Sequence, residues 1–166
     1  MLVSPFGNLY QGVVERLTAQ VPAIRYIDQD LGQLENYDVR PPVSWPCCLL
    51  DIDEFDFTEM ENTQNQMGVG LVICRIGLVK YTESNNLVPE NIRENALQYF
   101  EIEQMVYTAL HGWSPDGFTR LLRRKAKTEK RDDDIRVRIV PFAISFKDAS
   151  AAPQRTSVHR PPVILD

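Results

Sequence analysis

The chain has 166 residues, 43% hydrophobic and 25% charged, with a formal net charge of −5. That size and apolar content fit one globular domain with its own core. No run approaches the roughly 20 apolar residues that span a bilayer, and the opening MLVSPFGNLYQGVVERL lacks the basic-then-apolar order of a secretory leader. A cytoplasmic, non-membrane protein is expected.

In chain order, Ser4 and Pro5 supply an N-cap and first helical position, and Phe6, Leu9, Tyr10, Val13, Val14 and Leu17 recur at helical spacing until Pro22. Ile24, Tyr26 and Ile27 suggest a short strand, followed by a connection through Pro41 and Pro42. WPCCLLDIDEF reads as a strand whose alternation puts Leu50 and Ile52 on one face and Asp51 and Asp53 on the other. After the polar turn FTEMENTQNQMG, VGLVICRIGLVKY predicts a long strand paired antiparallel with it. VPENIRENALQYFEIEQMVYTALHGW predicts one helix opened by Pro89 and Glu90 and closed by Gly112, with Ile92, Ala96, Tyr99, Phe100, Val106, Tyr107 and Leu110 as its apolar stripe.

The final third predicts a long β-hairpin: FTRLLRRKA out, TEKRDDD as the exposed connection, and IRVRIVPFAISFKD back. Along the return arm Ile135, Val137 and Ile139 have one parity and Phe142, Ile144 and Phe146 the other, which predicts a β-bulge at Val140 and Pro141, with Pro141 at an edge. The expected fold is α+β: a mainly antiparallel sheet of about four to five strands with two principal helices packed on it. Residues 1–148 form the domain and 149–166 an extended Pro-rich C-terminal tail tipped by Val163, Ile164 and Leu165.

Charge is strongly segregated. Residues 120–140 carry nine cations and four acids, so in a chain of net −5 the remainder carries −10. Much of that lies between Asp28 and Glu61, where ten acids face a single cation, Arg40. Such asymmetry speaks of partners.

Catalytic chemistry finds little support. LLDIDEFDF resembles the strand-borne Asp-x-Asp of phosphotransfer enzymes, but it continues into FTEME without the turn such a site needs. Nor does it have a calcium loop's ligand spacing. His111 sits at a helix end, where an imidazole meets the last carbonyls, and His159 in the tail; neither has a nucleophile elbow. Cys47, Cys48 and Cys74 read as buried thiols, without the spacing of a zinc site. No enzyme activity, cofactor or metal is expected. The basic run invites nucleic acid, yet it lacks interleaved aromatics and a recognition helix, which leaves weak, non-specific DNA contact.

The order of these features, a capped helix, a short strand, PCCLLDIDEFDF, GVGLVICRIGLVKY, a helix ending in VYTALHG followed by GFTRL, then a cation-rich hairpin closing with VRIVPFAISFKD, resembles the tail terminator and tail completion (minor tail) proteins of long-tailed bacteriophages and prophages. The resemblance covers residues 6–148 or so; the acidic stretch Asp51 to Glu61 and the tail from Ala149 depart from it. It implies a structural subunit that forms a ring, expected to be hexameric, capping the tail tube and joining it to the head connector. Such a protein assembles in the host bacterial cytoplasm and resides in the virion tail or neck. Closed head-to-tail rings join unlike surfaces. Asp51, Asp53, Glu54 and Asp56 are the natural match for Arg120, Arg123, Arg124, Lys125, Lys127, Lys130 and Arg131, with Val163, Ile164 and Leu165 docking on a neighbour. The alternatives are another neck or connector component, or an adaptor or non-specific DNA-binding module using the basic hairpin.

Overall fold

The computed structural model describes residues 4–36, 43–61, 64–79 and 82–152. Helix α1 (Pro5–Gln20) begins where the Ser4 side chain accepts the Gly7 N–H at 3.4 Å, with Pro5 in its first turn. Its Leu9, Val13 and Leu17, one per turn, are buried, and the helix ends at Val21, just before Pro22.

Six strands form one sheet: β1 (Tyr26–Gln29), β2 (Cys47–Glu59), β3 (Gln66–Val79), β4 (Leu122–Arg123), β5 (Lys127–Glu129) and β6 (Ile135–Asp148). The order is β1-β2-β3-β6-β4, with β5 also on β6. Every pairing is antiparallel except β1 with β2, so the sheet is mixed and larger than expected. The hairpin's outgoing arm is not one strand. Leu122 faces Ala143, but Lys127 faces Ile139, a register offset by one residue. Between the two pieces the Arg124 N–H reaches the Pro141 carbonyl at 3.0 Å. Pro141 therefore turns its donor-less nitrogen toward the side where the ladder is interrupted, although β6 itself is interior.

The expected bulge at Val140 and Pro141 is absent from the β3–β6 ladder, which runs unbroken from Gln66↔Asp148 to Val79↔Ile135. The two apolar parities of β6 serve two faces instead. Val140, Phe142, Ile144 and Phe146 join the main core, and Val137, with Ile135 and Ile139 against it, joins a second cluster across the sheet. A bulge does exist in β2: Ile52 pairs with Val72 and Phe55 with Gly70, leaving Asp53 and Glu54 opposite Leu71 alone. The extra residue returns Phe55 to the face of Leu50 and Ile52, where it packs on the main core.

The expected single helix is two, α2 (Glu90–Ala96) and α3 (Gln98–Leu110), broken at Leu97. Only α3 contributes to the core, through Ile102, Val106, Ala109 and Leu110; α2 buries none of its residues and Phe100 is 42% exposed. Gly112 ends α3 with φ +79°, a conformation that glycine adopts without strain, and its N–H reaches the Leu121 carbonyl at 2.8 Å. Helices α1 and α3 lie together on one face of the sheet, tied by Arg16 Nε to the Ala109 carbonyl at 3.0 Å. Each large apolar side chain fully buried between these layers is worth roughly 1.5–3 kcal/mol. Cys47, Cys48 and Cys74 are free and buried, and burial pushes the Cys47 thiol up to about 12.

Candidate interaction surfaces

The sheet face opposite the helices is only partly covered. At one end the segment 30–36 lies over it, burying Leu34 against Cys47, Leu49 and Val137, with Val43 and Trp45 alongside. A cation holds that segment down. Arg75, whose side chain is 14% exposed, donates to Asp30 at 2.8 Å, to Glu35 at 2.5 Å and to Glu129 at 2.9 Å. Burial works against its charge, but the three carboxylates outweigh that and its pKa is raised. Arg131 adds a second clamp, donating to Glu129 at 2.8 Å, to Asp133 at 2.6 Å and to the Leu34 carbonyl at 2.7 Å. In turn, hydrogen bonds from Arg75 hold Glu35, and those from Arg131 hold Asp133, below the usual carboxylate range.

Arg131 was expected to face a partner; it is spent inside the subunit. A single arginine within the apolar run VGLVICRIGLV was the one sequence signal for this network, because a cation in a half-buried strand needs counter-charges. A further pair, Glu103 of α3 with Arg138 of β6, gave no such signal.

Beyond segment 30–36 the same face is open. Leu71, Ile73, Pro141 and Ala143 are half-buried there, and Val69 and Leu122 are 51% and 38% exposed. The two sets of expected interface charges lie at opposite margins of the sheet. Asp51, Asp53, Glu54 and Asp56 belong to β2, are exposed, and make no ion pair among the described residues. Burial, then the charges of Asp53 and Asp30, raises the pKa of Asp51. Across β3 and β6, Arg120, Arg124, Lys125, Lys127 and Lys130 are exposed and likewise unpaired among the described residues. Three strand spacings, about 14 Å, separate the margins, so the sets do not meet within one subunit.

Arg123 is partly committed: its guanidinium lies 3.7 Å from the Tyr107 ring centroid and its N–H donates to His111 Nδ1 at 3.1 Å. His111 thus accepts from the β4 backbone instead of meeting the last helix carbonyls. Val163, Ile164, Leu165 and His159, and the connection at Pro41 and Pro42, lie outside the described residues.

Between α1 and β2 runs an open groove of about 1010 Å³ whose lining includes Phe6, Tyr10, Val14, Ile52, Phe55 and Phe57, with Glu15 and Asp53 as its charged side chains. Local periodicity does not announce it, because the bulge that turns Phe55 and Phe57 toward α1 breaks the alternation of β2. Among the described residues no group of three or more His, Cys, Asp or Glu side chains could hold a metal ion. None of the described helices is long and apolar enough to cross a membrane.

No family model matches this chain, and no curated protein matches it. Among solved structures it is similar to a chain from the virion of a native gene transfer agent (GTA) particle, with a TM-score of 0.57 at 13% identity, covering 89% of this chain and 100% of that one. At that identity the likeness shows a shared fold.

Proposed function

We propose that this chain is a non-enzymatic structural subunit of a phage-like particle. In this reading it is a tail terminator-like protein whose copies close into a ring, a hexamer, that caps the tail tube and joins it to the head connector. It would be assembled in the host bacterial cytoplasm and carried in the virion tail or neck. The observation that carries the reading is the pair of uncompensated charge sets on opposite margins of one sheet, in a fold shared with a virion chain. In a head-to-tail ring the acidic margin (Asp51, Asp53, Glu54, Asp56) of one subunit faces the basic margin (Arg120, Arg124, Lys125, Lys127, Lys130) of the next. Such complementarity sets register and encounter rate more than affinity, so assembly is salt-sensitive.

Light scattering coupled to size exclusion, with and without tail-tube protein, tests this. A closed ring is expected that Arg124→Glu or Asp53→Lys opens and that the two changes together in one chain restore. A monomer under all these conditions would refute it. One observation favours a second reading: the same unpaired cations could meet the phosphates of DNA passing through the ring or, in an isolated adaptor, bind DNA non-specifically. A strict monomer that retards DNA at low salt selects that alternative.

A further inference from the structure

The groove between α1 and β2 is apolar on its floor and acidic on its rim, and its position says what fills it. Its floor carries the Phe6, Phe55 and Phe57 rings, the last 42% exposed. Phe146 of β6 packs edge-on against all three, with centroids 5.6, 6.0 and 6.1 Å away. Two residues later β6 ends at Asp148, which pairs with Gln66, itself paired with Glu59 at the end of β2. The chain therefore leaves the sheet beside the groove.

Residues 153–166 follow, and their sequence complements it: the cations Arg155 and Arg160, then the apolar run Pro161 to Leu165. We propose that Pro161–Leu165 of the same chain occupies this groove, setting Val163, Ile164 and Leu165 on the aromatic floor and Arg155 and Arg160 toward the acidic rim at Glu15. Extended, the eight residues from Pro153 to Arg160 span about 26–29 Å, against about 10 Å for the two strand spacings from β6 to β2. Pro161 and Pro162 pre-set an extended backbone and reduce the ordering cost. A tether this short gives an effective concentration in the millimolar range, which favours a chain's own segment over a neighbour's. This places the apolar run in its own subunit instead of on the next one, and it stands whether or not the ring forms.

The test is disulfide formation in the full chain, whose native thiols are all buried. Gln11→Cys, on the exposed groove wall, is paired with Ile164→Cys; the control pairs Ile164→Cys with Glu59→Cys, nearer the chain's exit but outside the groove. The groove pair should close an intramolecular bond at least about tenfold faster than the control. Phe57→Asp, or Phe57→Ser should the first fold poorly, should bring the rate down to that of the control. Equal rates for the two pairs, a rate unchanged by both Phe57 variants, or a bond formed only between chains would overturn the proposal. An interchain bond that accompanies a ring would do so while leaving the ring reading intact.

Discussion

Replacing Glu103 by alanine strands a cation. Glu103 and Arg138 pair with side chains 9% and 13% exposed, and among the described residues Arg138 keeps only Thr128 Oγ1 at 2.7 Å and the Phe100 face at 5.3 Å as further partners. Breaking a buried pair from one side costs about 3–5 kcal/mol, because the remaining charge loses its counter-ion without regaining water. The Thr128 bond and the residual exposure put Glu103→Ala at the lower end, about 3 kcal/mol. For a domain of this size that corresponds to about 6–12 °C in Tm. Glu103→Gln keeps a hydrogen-bond acceptor and should lose only about 1–2 kcal/mol. The double change Glu103→Leu with Arg138→Met should return to within about 1 kcal/mol of the parent, since both desolvation costs vanish together. Urea titrations followed by tryptophan fluorescence measure all three. A loss below about 1 kcal/mol for Glu103→Ala, the size of an exposed surface pair, would refute the argument.

Arg131→Gln removes the clamp on the Leu34 carbonyl and should raise amide exchange across residues 30–36 while leaving α1 unchanged; unaltered exchange in that segment would show that Arg75 holds it alone. The depressed carboxylates Glu35 and Asp133 contribute stability that is present above their unfolded values and lost as pH falls through the folded ones. Stability should therefore drop below about pH 4, and Arg131→Gln should flatten that drop; parallel pH profiles would count against the linkage. Gly70→Ala places a methyl against the Phe55 ring and 2.6 Å from the Glu54 carbonyl. It should destabilise by about 1–3 kcal/mol, and a neutral melting curve would mean that the bulge yields freely.

Two strands posed the same riddle in sequence and resolved it oppositely. Both β2 and β6 switch the parity of their apolar residues midway: Leu50 and Ile52 against Phe55 and Phe57, and Val137 and Ile139 against Phe142 and Ile144. In β2 the switch is a bulge; in β6 it is a strand covered on both faces. What decides is whether a distant segment covers the second face, and residues 30–36 do so only over the end where Val137 lies. Local periodicity carries no information about such cover. Where local chemistry sufficed, at the Ser4 cap, the end of α1 before Pro22 and the buried thiols, the reading agreed with the structure. The glycines of β3 were legible as strand residues but not in role: Gly68 and Gly70 lie directly beneath the rings of Phe57, Phe146 and Phe55, where a side chain would collide. Of the candidate site, the charge segregation was legible because it needs only composition. The diversion of Arg131 was not, since its partners Leu34 and Glu35 lie nearly a hundred residues away in the chain.

The bulge at Asp53 and Glu54 also gives this strand an asymmetric tolerance to changes in its length. Deleting either residue would leave a single residue opposite Leu71 and restore plain alternation, so Phe55 and Phe57 would stay on the face of Leu50 and Ile52. One residue added there, unless it loops out of the ladder, would instead turn Phe55 and Phe57 away from α1 and drive Asp56 among the aromatic rings. A one-residue gap at these two acids should therefore survive in relatives far more readily than a one-residue insertion.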